Sequence, residues 1–201
     1  MPRQEATKDR LYAIALELFG RKGFGAVSIR EICAAAGIRE SSLYNHYPSK
    51  QALLDRAIEE MGAYMHSPEL FERKKAAWGA LGLRDLLKGG VARSLEAWNN
   101  EHLRQLWMVL SHEQYQSEPV ASLLNREQEN RIAYTTDMFS HLMAAGRMRQ
   151  SDARLLATTY VHAMSSLKLE YVLRLHHGMD PEGHARLIHQ LAETFSAQWQ
   201  C

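Results

Sequence analysis

The chain has 201 residues, 24 Lys/Arg against 23 Asp/Glu and a formal net charge of +1, with 46% hydrophobic residues. That balance is ordinary for a soluble globular protein long enough to bury a sizeable core, and it excludes binding to nucleic acid by bulk charge alone. No run of about 18 apolar residues argues for a membrane span. The polar start Met1-Pro2-Arg3-Gln4-Glu5 lacks the apolar stretch of a secretion signal, and two cysteines, Cys33 and Cys201, imply no disulfide framework, so a cytoplasmic location is expected.

Apolar residues recur at helical spacing along the chain, with no strand-like alternation, repeat or low-complexity tract, so an all-α fold is expected. Prolines 2, 48, 68, 119 and 181 stand at boundaries between periodic runs. Leu11, Ile14, Ala15, Leu18 and Phe19 predict a first helix over 7–22, capped by Thr7 and ended by Gly23. Ser28-Ile29-Arg30-Glu31 fits a capping box that opens a short second helix to about Ala36. Gly37-Ile38 makes a tight turn, and a third helix follows from Glu40 to Tyr47, stopped by Pro48. Ser49 caps a fourth helix with Leu53, Leu54, Ala57, Ile58 and Met61 on its apolar stripe, ended by His66-Ser67-Pro68. Residues 69–81 carry no clear pattern. Further helices are predicted over 83–99, 101–116, 118–145, 151–177 and 181–199, the last opened by Asp180-Pro181-Glu182.

Two short helices joined by a glycine-bearing turn form a helix-turn-helix, whose second helix lies in the DNA major groove. Residues 28–36, 37–38 and 40–47 fill that template. Ser41, Ser42, Tyr44, Asn45 and His46 offer hydroxyls, an amide and an imidazole, while Leu43 and Tyr47 anchor the back of the helix. Residues 1–50 hold 8 Lys/Arg against 5 Asp/Glu, and residues 51–201 hold 16 against 18, an asymmetry compatible with a DNA-facing N-terminus.

The resemblance to a known family runs through Arg10-Leu11, Ala15 to Phe19, Gly23-Phe24, Ser28 to Ile32, Ala35 to Ile38, Leu43 to Lys50 and Leu53-Leu54. Over 7–61 the chain resembles the DNA-binding domain of the tetracycline-repressor (TetR) family. The resemblance implies a homodimer on a palindromic, double-stranded DNA operator, with a C-terminal effector pocket. By position, Ser42, Tyr44 and His46 should meet phosphates or base edges, and Lys50 a phosphate beside the N-terminus of the fourth helix. Arg30 and the arm residue Arg3 are candidate backbone or minor-groove contacts. Asn45 offers an amide for adenine, and Ser41 shares the reading surface. Two positions depart from the family: Arg39 stands where Ser or Thr usually caps the recognition helix, and Glu40 where a cation is usual. Arg39 has no oxygen to cap with, and Glu40 either repels phosphate or accepts from a cytosine amine.

The expected division is 1–65, a three-helix helix-turn-helix domain, and 66–201, a helical effector-binding and dimerisation bundle. The bands Trp98–Leu110, Tyr134–Leu142 and Tyr160–Tyr171 are mostly core. Trp107, Tyr134, Met138 and His162 are the candidates for contacting a small apolar effector. The two C-terminal helices are expected to pack against a second copy, a placement that rests on the resemblance. No pair among the ten histidines is spaced i,i+4 and no metal or other cofactor is called. Without a nucleophile elbow or a phosphate loop, no catalytic residue is named and an enzyme is not expected. The reading is a ligand-released repressor. Its alternatives are a DNA-binding regulator without an effector, controlled by a partner, and an activator.

Overall fold

The structure is a computed structural model that describes residues 2–65, 72 and 75–201, with side chains from Ala6 onward. The arm call on the Arg3 side chain, His66, and the stop assigned to His66-Ser67-Pro68 lie outside the described residues. Nine α-helices occur among the described residues: α1 (Pro2–Lys22), α2 (Ile29–Ala36), α3 (Glu40–Tyr44), α4 (Lys50–Met65), α5 (Leu83–Trp98), α6 (Glu101–Glu113), α7 (Glu118–Ala144), α8 (Ala153–His176) and α9 (Glu182–Trp199). One 3₁₀ turn, Ala77–Gly79, lies in the stretch whose sequence gave no pattern. No strand is found among the described residues, beyond an isolated bridge between Met148 and Gln200.

The chain divides into two compact units: residues 1–66 with 101–125, and residues 67–100 with 126–201. In the first unit α1 packs against α2, α4 and α6, and α4 also packs against α6. Leu11, Leu16, Phe19, Ile32, Leu43, Leu53, Leu54, Met61, Leu106 and Leu110 are its fully buried large side chains. Burying a side chain of that size is worth about 1.5–3 kcal/mol, which is why eight- and five-residue helices that would not form alone are stable here. The α6 stripe Leu103–Leu106–Leu110 therefore belongs to the core of the N-terminal helices.

In the second unit α9 packs against α5 and α8. Phe195 of α9 stacks on Phe139 of α7 at 5.4 Å and meets Tyr160 of α8 at 4.9 Å, placing an aromatic cluster at the centre. Burial pushes the Tyr160 hydroxyl well above its ordinary range. Arg147 fixes the 3₁₀ turn by donating to the carbonyls of Trp78 at 2.6 Å and Leu81 at 2.8 Å. On the outside of α9, Glu193 pairs with Lys88 at 3.0 Å and Arg84 at 3.3 Å, both on α5.

Thr7 does not cap α1, which begins at Pro2 and runs through it, but other caps behave as the residue types require. Ser28 Oγ accepts from Glu31 N at 3.2 Å, Ser49 Oγ from Ala52 N at 3.1 Å, and Asp180 Oδ1 from Glu182 N at 2.9 Å. The third helix is shorter than expected. Regular helix stops at Tyr44, and the Leu43 carbonyl then accepts from both His46 N at 2.8 Å and Tyr47 N at 2.9 Å. Pro48 disfavours helical backbone at Tyr47, so the turn cannot run on into α4.

Candidate nucleic-acid interface

The helix-turn-helix is built by α2, the turn at Gly37 and α3. Gly37 sits at φ 66°, in the left-handed region that ends helices and favours glycine. Its neighbour Ile38 donates to the Cys33 carbonyl at 3.0 Å. Arg10 of α1 closes the same end from outside by donating to the Ala36 carbonyl at 2.5 Å. Cys33 is buried as a small apolar residue, and burial, with the nearby Glu40 charge, raises its thiol pKa.

Alternation of buried and open positions turns α3 outward on one side. Leu43 is fully buried and Tyr47 is 3% exposed, whereas Tyr44 is 50% exposed. Ser41, Asn45 and Arg30 are exposed, and Ser42, His46 and Lys50 are half-buried. The structure thus brings Ser41, Tyr44, Asn45 and Arg30 to open surface on adjacent elements, with Ser42 and His46 at its margin.

Behind this face a polar network holds the reading turn. Tyr47 donates to the Lys8 carbonyl at 3.3 Å and accepts from Arg56 Nη1 at 2.6 Å. Arg56 reaches Asp9 at 2.8 Å and lies over the Tyr12 ring at 4.0 Å. Tyr12 donates to Glu60 Oε2 at 2.8 Å, and Glu60 Oε1 meets His102 of α6 at 2.6 Å. Burial and then the Glu60 carboxylate push the Tyr12 hydroxyl far up. These contacts tie α1, α4 and α6 to the residue that terminates α3.

Lys50 has a structural task that its place in the family pattern does not suggest. Its ammonium donates to the carbonyls of Phe24 at 2.7 Å and Val27 at 2.8 Å, and sits 4.2 Å from the Phe24 ring centroid. From the other side, buried Glu113 of α6 accepts from Phe24 N at 3.1 Å. The α1–α2 loop is therefore held at both the N–H and the carbonyl of one residue, Phe24, by opposite charges. At the α2 terminus Glu31 pairs with Lys22, and that ammonium, helped by the Ser28 N–H, holds the Glu31 carboxyl below its usual range.

Arg39 makes no side-chain cap, as its chemistry requires. Arg30, Arg39 and Glu40 border a surface depression whose base includes Cys33, Ala34 and Ile38. The sequence reading treats Arg39 only as a missing cap, whereas in the structure it borders this depression beside Arg30.

The four effector candidates lie on three helices, α6, α7 and α8. Trp107 lies on α6, in the first unit. Tyr134 and Met138 lie one turn apart on α7 in the second. Tyr134 accepts from Trp78 Nε1 at 3.1 Å, with the rings edge to face at 5.3 Å, so Trp78 is a neighbour the sequence did not announce. Burial raises the Tyr134 hydroxyl pKa. His162 is exposed on α8, its Nδ1 2.8 Å from the Thr158 carbonyl. No group of three or more His, Cys, Asp or Glu placed to hold a metal is found among the described residues, and no described helix is long and apolar enough to cross a membrane.

Residues 11–57 match the family model for bacterial regulatory proteins of the tetR family. A stretch of 96 residues is 31% identical to the HTH-type transcriptional repressor KstR2 of Rhodococcus jostii, covering 47% of this chain and 45% of that protein. The chain spans less than half the length of the first curated relatives it matches. A TetR-family regulator structure from Mesorhizobium loti superposes with a TM-score of 0.66 at 17% identity, over 99% of both chains. A Saccharomonospora viridis protein solved with choline, and classed as a transcriptional regulator, superposes with a TM-score of 0.64 at 19% identity, over 94% of this chain and 96% of that one. Residues 11–57 are thus similar to the DNA-binding region of bacterial regulatory proteins of the tetR family, and the fold of the chain is that of a TetR-family regulator structure.

Proposed function

We propose that the protein is a sequence-specific transcriptional regulator that binds a palindromic duplex operator as a homodimer and represses until a small apolar effector releases it. The observation that carries the reading is the outward face of α3. Ser41, Tyr44 and Asn45 stand exposed while Leu43 and Tyr47 are locked into the core, so hydrogen-bonding groups are offered to base edges from a rigid support. Ser42 and His46 reach the flanking backbone. Lys50, with two of its three N–H groups spent on the loop carbonyls, keeps one for a phosphate.

Dimerisation through α8 and α9 is supported by their uncharged outer faces. Leu155, Thr159, His162, Ser166 and Leu169 are all exposed at alternating spacings of four and three along α8. Leu187, Gln190, Thr194 and Ala197 do the same on α9. Leu155 is 62% exposed and Leu187 46%, which suits a surface covered by a second copy. Glu193 of α9 is turned instead toward Lys88 and Arg84 of α5.

We place the effector in the second unit around Tyr134 and Met138; that a small molecule binds at all is supported by the choline found in a protein of the same fold. To release DNA it must bind the released conformer more tightly than the DNA-bound one. Selection from random-sequence duplexes tests the function. Enrichment of an inverted repeat, with affinity lost about a hundredfold in Tyr44→Ala (about 2.7 kcal/mol), is the expected result. Folded protein that enriches no sequence overturns it.

A further inference from the structure

The cations of the first unit are nearly all employed inside it. Arg10 caps α2, Lys50 holds the α1–α2 loop and Arg56 binds Asp9 and Tyr47. Lys8 lies over the Tyr47 ring, Arg21 pairs with Glu17, Lys22 with Glu31, and Arg104 is engaged as well. Arg30 and Arg39 are the exceptions among the described residues. Both are exposed, neither meets a carboxylate, and both border the same depression beside α3. Two guanidinium groups border this depression against the single carboxylate of Glu40, which leaves an excess of positive charge there. A phosphate is the complement of that arrangement, since its oxygens accept the forked N–H groups of two arginines at once.

From this juxtaposition we infer that Arg39 is a DNA-binding residue, and that with Arg30 it clamps one backbone phosphate of the duplex over the depression between α2 and α3. The inference rests on the DNA-binding reading above and adds to it a contact at a position where relatives usually carry a capping Ser or Thr. Glu40 is on the same rim, so the depression carries a formal charge of +1 from two guanidiniums and one carboxylate. Glu40 therefore weakens the clamp on every duplex alike. The contact is to phosphate, so it sets affinity and register and leaves the preferred base sequence unchanged.

The test is a titration of the full chain with an enriched duplex and a scrambled one, each over a range of salt. Arg39→Ala is expected to weaken both by about tenfold and to reduce the slope of log affinity against log salt by about one. Arg39→Lys should restore the slope while recovering only part of the affinity, because a point charge replaces a fork. Glu40→Gln should tighten both duplexes. Matching circular dichroism melts show that the variants are folded. Wild-type protein that binds duplex, with Arg39→Ala and Glu40→Gln unchanged in affinity and slope, overturns the clamp. So does an Arg39→Ala variant that alters the preferred sequence at constant slope, which makes Arg39 a base reader. If the wild-type chain binds no duplex at all, the DNA-binding reading fails and the clamp falls with it.

Discussion

Tyr47 shows how one side chain joins folding to reading. It is an anchor by burial, but its hydroxyl is also the meeting point of Arg56 and the Lys8 carbonyl. Tyr47→Phe keeps the volume and removes one donor and one acceptor, leaving part-buried partners unmatched. The expected cost is about 1–2 kcal/mol in urea denaturation, with DNA affinity falling as the α3 terminus loosens. Unchanged stability would show that the network is ornamental. Nothing in the sequence distinguished Tyr47 as a network centre from Tyr47 as simple core, because its partners lie 9 and 39 residues away. The same holds for Lys50: loop carbonyls have no side-chain signature, so a lysine that serves them looks like a lysine left free for phosphate.

Among the elements, α9 owes part of its attachment to Glu193. The Lys88 ammonium, joined by Arg84, holds this carboxyl below its ordinary value of 4.5. A carboxyl depressed in the folded state stabilises fully above the unfolded pKa, and that contribution disappears as pH falls through the lowered value. Wild type should therefore exceed Glu193→Gln in thermal stability at neutral pH, and the two should converge as the pH is taken below about 4. A difference that persists in acid would mean the glutamate acts by packing. Helix boundaries were legible because they depend on local chemistry: Ser28, Ser49 and Asp180 cap, Gly37 terminates and Pro48 stops. Partnership between helices was not. The stripe Leu103–Leu106–Leu110 says that one face of α6 is buried, and is silent about whether α1 or a later helix covers it.

For the molecule as a whole, the uncharged faces of α8 and α9 predict its assembly. Leu155→Arg with Leu169→Arg places two like charges on the proposed interface of each copy, and self-association should drop to monomer in sedimentation equilibrium. Helical content should be retained, since both residues are already exposed. Binding to an inverted repeat should fall further than binding to a half-site, because only the dimer engages both arms. A variant that remains dimeric places the interface elsewhere. The exposed face of α3 could be found from spacing alone, whereas the surroundings of Tyr134 could not: Trp78, which touches it, comes from a stretch without periodicity.

The compact unit that carries the helix-turn-helix is not one stretch of chain. It closes only when α6 returns after 34 intervening residues, 67–100, to supply Leu106 and Leu110 to the core and Glu113 to the Phe24 amide. A contiguous N-terminal cassette cut at residue 65 would carry every base-facing group and lack a wall of its own interior. This reading head is thus poorly suited to modular transplantation. A chimaera that borrows its operator preference must inherit α6 along with the first four helices, or accept a grafted core with a missing side.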